Sequence, residues 1–453
     1  MNEKLYATIL ERKATVKVVF FYKSYLIKKE MKMSNIKKYS IYSIIVIILC
    51  FLFIRISPIH NILTFDVGQY LNIGRTLNSG KIIYKDVYDT KGPIWYLLCQ
   101  LLVFISDSLT PWFCLVIIVS ILNFILFDKI YSIFYEKTTL KTVLMIFVVF
   151  SSLEQFYFCN VSEYYTLPIQ LLITYYLVKS IETDYKIKPF IIGILFGILF
   201  FIKFTLVIAV GILLIYTFIK KRFNVLQFIL GGLSVVTIVV LYLLIQHNLI
   251  DYLEYCFAIT TTHVHKVYNT SKIEMFMCVI LFIVIPICEI YYSKSKYAIP
   301  FSISLIIIFI LTQQDLYIIS LFIYFPLLGI STKKNANALI IIFIIFGFIV
   351  NIYDIHEYKL KDVKYNKILD LLEDKNVFMN NLPRYYYNNH KILESKYIDY
   401  QADYNKWLAE MKTIIESEKY DYLVFEGKYF YEITKYDIIF NDNKTIILRR
   451  KDL

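Results

Sequence analysis

Long apolar runs alternate with short lysine-rich segments along most of this 453-residue chain. Several runs lack charge over about the 18–20 residues that a helix needs to cross a bilayer. Ile41–Ile54, extended by flanking Tyr and Ser, and Ala338–Tyr353 are two of them. The pattern predicts spans near residues 39–57, 111–128, 142–159, 164–178, 225–246, 275–292, 298–312, 316–330 and 338–354. Two shorter helices fit Pro189–Lys220, with Lys203 at the turn between them. Ile94–Ser106 is short for a crossing and is expected to lie on the outer surface, with Trp95 and Tyr96 at headgroup depth. From residue 355 the pattern changes. "KNVFMNN", "YDYLVF" and "TIILRR" predict strands, while "DVKYNKILDLLED" and "DYNKWLAEMKTIIESEK" carry helical spacing.

The expected fold class is therefore an all-α polytopic membrane protein with about eleven crossings and a small C-terminal α/β domain. Composition agrees: 58% of residues are hydrophobic and the mean hydropathy is +0.58, above the range of soluble domains. A net charge of +12 would suggest nucleic acid in a soluble protein. Here lysines held in cytoplasmic loops account for it, and no nucleic-acid partner is expected. Threading the spans puts Lys129, Lys137, Lys141, Lys179, Lys186, Lys188, Lys220, Lys294, Lys296, Lys333 and Lys334 on one side. The organisation read from this is an N-terminal cytoplasmic extension (1–38), a membrane domain (39–354) whose first outer loop is 58–110, and an extracytoplasmic α/β domain (355–453). Met31 and Met33 are internal methionines, and "MSNIKKYS", beginning at Met33, is a normal start for an inner-membrane protein, so residues 1–30 read as either an over-long start or a cytoplasmic extension. No signal-peptide cleavage site is evident, and the first span reads as retained.

The same threading gathers polar features on the outer face: residues 58–93, Ser162 and Glu163, Lys203, the loop 248–274 and Gln313–Asp315. Polar groups converging at one membrane face are the layout of a site working on a membrane-bound substrate. Asp66 stands at the outer end of span one, where a carboxylate can serve as general base or as a plain helix cap. The 41 tyrosines follow the Ile-, Lys- and Asn-rich bias of the whole chain and are weak evidence for sugar stacking. The seven cysteines form no CxxC pair and read as small core residues. His263 and His265 form an HxH pair without an obvious third ligand, so a polar loop is the preferred reading over zinc.

The segment "FDVGQYLNIGRTLNSGKIIYKDVYDTKGPIWYLL" orders Asp66, Tyr70, Gly74, Gly80, Tyr84-Lys85-Asp86 and Lys91-Gly92-Pro93. In that order it resembles the first external loop of GT-C glycosyltransferases, closest to the protein mannosyltransferase and aminoarabinose transferase superfamily. "NVSEYYTLP" resembles the family's second outer acidic motif, with Glu163 as carboxylate, and "GILFGILFFIKFT" its Gly-x-x-x-Gly…Lys hairpin. The likeness covers residues 39–220; beyond 225 it is hydropathy alone, and Gln313, Gln314 and Asp315 depart from the Arg or His-Tyr of relatives. The resemblance implies transfer of a sugar from a polyprenyl-phosphate donor to a lipid, glycan or protein acceptor, on the outer face of a bacterial cytoplasmic membrane, by one inverting displacement. It implies Asp66 as the base. A lipid phosphate leaving group needs nearby cations, for which Lys91 is the first candidate and Lys203 the second. Tyr70, Tyr84, Asp86, Asp89 and Glu163 are left as acceptor, sugar or loop-ordering residues. No resident metal site or certain cofactor follows, and the carboxylates are what a divalent metal would use. Two rival readings remain open: a transporter or flippase of lipid-linked saccharide, and a non-catalytic subunit of an envelope assembly.

Overall fold

The computed structural model describes residues 37–52, 54–61, 63, 65–134, 162–221, 223–259, 296–312, 324, 372, 375–380, 404–426, 435–441 and 445–452. The expected spans 142–159, 275–292, 316–330 and 338–354 lie outside the described residues, as do Gln313–Asp315, His263 and His265. The described part is mostly helical: α1 (37–52), α2 (Phe65–Asn78), α3 (Pro93–Ile105), α4 (Thr110–Phe134), α5 (Ser162–Glu182), α6 (Pro189–Ile202), α7 (Val207–Lys221), α8 (Val225–Ile245), α9 (Leu249–Leu253) and α10 (Ala298–Thr312). Among these residues α4 and α8 are long and apolar enough to cross a membrane, and α3, α6, α7 and α10 are shorter apolar helices.

Helix α8 illustrates why this chain needs an apolar surrounding. Its buried positions Gly231, Val235, Val239 and Leu243 recur every fourth residue and form one narrow stripe. Leu226, Leu230, Leu233, Ile238, Leu241 and Ile245 are each at least half exposed on the other faces. A helix apolar all round suits lipid better than water. The stripe packs on α6, where a Cβ on Gly193 would overlap the Phe228 carbonyl and one on Gly231 would overlap the Phe190 carbonyl. The two backbones touch because small residues allow it, as in membrane helix pairs generally.

The expected break at Lys203 is where α6 stops. Lys203 has extended backbone (φ −164°), and a single 3-10 turn, Phe204–Leu206, leads into α7. At the other end of the helices, Asp128 of α4 accepts from Lys38 Nζ (2.7 Å) and Tyr39 Oη (3.0 Å), tying α1 to α4. Glu182 of α5 likewise accepts from Tyr297 Oη (2.5 Å) and Lys296 Nζ (2.9 Å).

Helix α3 has the predicted length but not the predicted facing. Trp95 and Tyr96 are each 1% exposed, so they face the protein interior and not lipid headgroups. The outward residues are Leu97, Leu101, Phe104 and Ile105. The amphipathic indole and phenol turn inward because other aromatic rings are there to receive them.

The C-terminal elements form a four-stranded sheet, order β1-β2-β4-β3, from β1 (Val377–Asn380), β2 (Tyr422–Glu426), β3 (Tyr436–Asn441) and β4 (Thr445–Arg450). Helix α11 (Tyr404–Glu416) lies between β1 and β2 in the chain. That pair is parallel, as a crossover requires, and the rest is antiparallel. Phe378, Leu423, Val424 and Leu448 are buried on the sheet, and Met411 and Ile415 on the helix. Strands β1, β2 and β4 match the sequence expectation. Strand β3 was not foreseen: Ile438 and Ile439 are adjacent and both exposed, so it lacks the alternation of a half-buried strand.

Candidate active site

Helix α2 carries the first site residue and owes its place to its buried face. Val67, Tyr70, Leu71, Ile73 and Leu77 are all buried, at helical spacing. Its end is marked by Gly80 in the left-handed region (φ +92°), whose N–H returns to Leu77 O at 3.0 Å. Arg75 holds that end by two bonds to Asp107, Nε to Oδ2 at 2.9 Å and Nη2 to Oδ1 at 2.7 Å. Asp66 is in the first turn, where a carboxylate suits the helix dipole.

The loop after α2 folds back on itself. Asp86 Oδ2 accepts from Ile82 N–H (2.8 Å), Asp86 N–H reaches Ile82 O (2.8 Å), and Tyr84 N–H reaches Val87 O (2.7 Å). Asp86 therefore closes its own turn, and Tyr84 Oη donates to Lys91 O at 2.6 Å. Both make loop-ordering contacts. The loop ends in Asp89 and Lys91. Asp89 Oδ1 accepts from Thr90 N–H (2.6 Å), while Oδ2 faces Lys91 Nζ at 3.5 Å. The ammonium also stands 4.9 Å from the centroid of the Tyr70 ring, one helical turn from Asp66.

Glu163 and Lys203 meet beside this group. Glu163, in the first turn of α5, accepts from Ser162 Oγ (2.9 Å) and from Lys203 Nζ (2.6 Å). Gly92 joins the two halves: its N–H donates to Ile202 O at 2.8 Å, next to the Lys203 break. Its backbone (φ −74°) is open to any residue, yet a Cβ there would overlap the Phe201 carbonyl. Glycine is needed for close approach, not for conformation.

Electrostatics binds these groups into one site. Burial pushes the Asp66 carboxyl up to about 6; Lys91 pulls it down, Glu163 and Asp89 push it further up, and Lys203 pulls it down. Burial works against the charge of Lys91, but Asp89 and Asp66 outweigh it and hold the ammonium above the ordinary lysine value. Burial, then Asp66, Glu163 and Asp89, hold the Tyr70 phenol well above its ordinary value, so it stays a donor. Beneath the charges lies a block of packed rings. Tyr70 meets Trp95 edge-on at 5.0 Å and Trp112 at 5.7 Å, and Tyr165 packs on Trp95 at 5.5 Å. Tyr70 Oη, Trp95 Nε1 and Trp112 Nε1 are buried with no hydrogen-bond partner among the described residues. Buried donors left unmade are costly and unusual.

The structure thus gathers Asp66, Tyr70, Asp89, Lys91, Glu163 and Lys203, and leaves Asp86 and Tyr84 in the loop that supports them. Among the described residues no group of three or more His, Cys, Asp or Glu could hold a metal ion; Asp89 is paired with Lys91 and Glu163 with Lys203. Sequence reasoning missed Trp112 in the ring block and Asn248 and Cys256 against the loop. The last two act from 165 residues away, and no local pattern marks them.

No family model matches the chain, and no curated protein matches it. Among solved structures, the crystal structure of the Archaeoglobus fulgidus oligosaccharyltransferase, in complex with zinc and sulfate, matches with a TM-score of 0.45 and 13% identity, over 85% of this chain and 67% of that one. A likeness at that level decides neither family nor chemistry.

Proposed function

We propose that this chain is a multi-pass membrane glycosyltransferase of the GT-C type. It takes a sugar from a polyprenyl-phosphate donor and passes it to an envelope acceptor on the outer face of the membrane. The observation that carries this reading is the gathering of Asp66 with Lys91, a charged and largely buried lysine, at the edge of an apolar helical body, where burial raises the Asp66 carboxyl to about 6. A base with that value is ionised at neutral pH yet stronger than an ordinary aspartate.

In the proposed reaction the acceptor hydroxyl attacks the anomeric carbon while its proton passes to Asp66. The bond from that carbon to the phosphate oxygen breaks on the opposite side, so configuration inverts. The phosphodiester leaves as a polyprenyl monophosphate with one more negative charge, and Lys91 is the group to receive that charge. Its contact with Asp89 is loose, at 3.5 Å, and an incoming phosphate can replace it. Lys203 is held by Glu163 at 2.6 Å, so we assign it a supporting charge behind Lys91. Tyr70 Oη, with no hydrogen-bond partner among the described residues, is placed to donate to substrate oxygen.

The test is a comparison of envelope lipids and glycans in a strain lacking this protein, complemented with the wild-type chain or with Asp66→Asn. The reading expects a glycan or glycolipid to disappear on deletion, to return with the wild type and to stay absent with Asp66→Asn at equal protein level. Full restoration by Asp66→Asn overturns it.

A further inference from the structure

We infer that Asn248 and Cys256 are positioning residues for Lys91, forming with Tyr84 a clasp that fixes where its ammonium stands. The inference rests on the reading of Lys91 as the phosphate partner. A lysine carries its charge on a flexible stem, so a fixed ammonium requires a fixed main chain.

The Lys91 peptide is held by groups from four segments of the chain: its own loop, α3, α6 and the stretch that follows α9. Its carbonyl accepts from Tyr84 Oη (2.6 Å) and from Cys256 Sγ (3.2 Å), which uses both lone pairs. Its N–H points at Tyr96 Oη (3.4 Å), and the next N–H, of Gly92, goes to Ile202 O (2.8 Å). Asn248 Nδ2 donates to Ile83 O at 2.9 Å, gripping the same loop at its other end. Ring contacts add to the grip, Tyr252 on Tyr84 at 5.4 Å and Tyr255 on Tyr88 at 4.5 Å. Burial holds the Cys256 thiol well above its ordinary value, so at neutral pH it has a proton to donate.

Two further features agree. Tyr84 has a positive φ of 67°, a conformation that L-residues with large side chains keep only where surrounding contacts impose it. The clasping segment runs from α9 into a π-helix, Glu254–Ile259, and such turns recur at functional sites.

The experiment uses the full-length protein in lipid nanodiscs with Cys256→Ala, Asn248→Ala, Cys256→Ser and Lys91→Ala. The first readout is acylation of Lys91 by a water-soluble amine reagent, followed by peptide mass spectrometry, with Lys38 as internal reference. The second is binding of a polyprenyl monophosphate. Cys256→Ala and Asn248→Ala are expected to raise Lys91 labelling about fivefold, the scale of one lost hydrogen bond, with Lys38 unchanged. Both should weaken polyprenyl monophosphate about as much, and Cys256→Ser should restore both readouts. Labelling of Lys91 that does not change, or that rises in step with Lys38, overturns the clasp. If labelling behaves as expected but Lys91→Ala leaves polyprenyl monophosphate binding intact, the clasp stands and the phosphate reading falls.

Discussion

Replacing Asp66 by Asn should stabilise the protein at neutral pH while removing its activity. The carboxyl titrates at about 6 instead of 3.8, with burial the largest cause. A raised value means that the folded chain holds this proton more tightly than the unfolded chain does. The corresponding stability is fully present below 3.8 and is lost as pH rises through about 6. The rise from 3.8 to about 6 bounds the neutral-pH penalty at about 3 kcal/mol. Asp66 is partly exposed, so the penalty lies at or below that bound. Asn is neutral at every pH and carries no such penalty. Thermal melts of both proteins in one detergent should therefore give the variant a Tm higher by a few degrees near neutral pH. The gain should fade as the pH falls to about 4, where the wild-type carboxyl is protonated too. A variant that melts lower near neutral pH, or a gain that persists at low pH, refutes the claim that Asp66 is held against its own burial.

Four other outcomes follow from the geometry. Gly92→Ala should destabilise by about 1–3 kcal/mol or more, because its Cβ meets main chain that cannot yield cheaply. Gly80→Ala, in open space but at φ +92°, should cost about 1–2 kcal/mol and leave polyprenyl monophosphate binding unchanged. Glu163→Gln leaves the Lys203 ammonium without its carboxylate and should cost about 3–5 kcal/mol, whereas Glu163→Gln combined with Lys203→Met should recover much of that; denaturation of the four proteins of the cycle measures the coupling. Arg75→Lys replaces a two-bond fork on Asp107 by one contact and should lower Tm through loosening of α2, a change visible as faster amide exchange in residues 72–80.

The parts of the molecule legible in the sequence are those set by local pattern. The extent of α8 follows from an unbroken apolar run bounded by Asn224, whose side chain caps the helix at Gln227 N–H (3.1 Å). The break at Lys203 was readable because a charge in the middle of an apolar stretch seeks an end, and α6 ends there. Strands β2 and β4 were readable from short apolar runs. What was not readable depends on partners distant in the chain. Trp95 and Tyr96 were expected at the lipid surface because amphipathic rings commonly lie there; Trp95 instead packs on Tyr70, Trp112 and Tyr165, and Tyr96 on Tyr84. The pairing of Glu163 with Lys203, and so the unequal standing of the two lysines, required the fold to bring α5 to the α6 break. The pattern put the loop 248–274 on the same face as the Lys91 loop, but nothing in it singled out Asn248 and Cys256 as the residues that grip.

The central claim is that Asp66 and Lys91 form the working core of a sugar transferase fed by a lipid phosphate. The most direct measurement is sugar transfer by the purified protein in nanodiscs, supplied with a panel of polyprenyl-phosphate sugars and an envelope extract as acceptor. The account predicts transfer from at least one donor, with release of polyprenyl monophosphate and a rate that rises as pH passes through about 6. It predicts loss of that transfer in Asp66→Asn, with the variant folded and at least as stable as the wild type. Transfer at the wild-type rate by Asp66→Asn, or movement of lipid-linked saccharide across the membrane with no transfer from any donor, contradicts it.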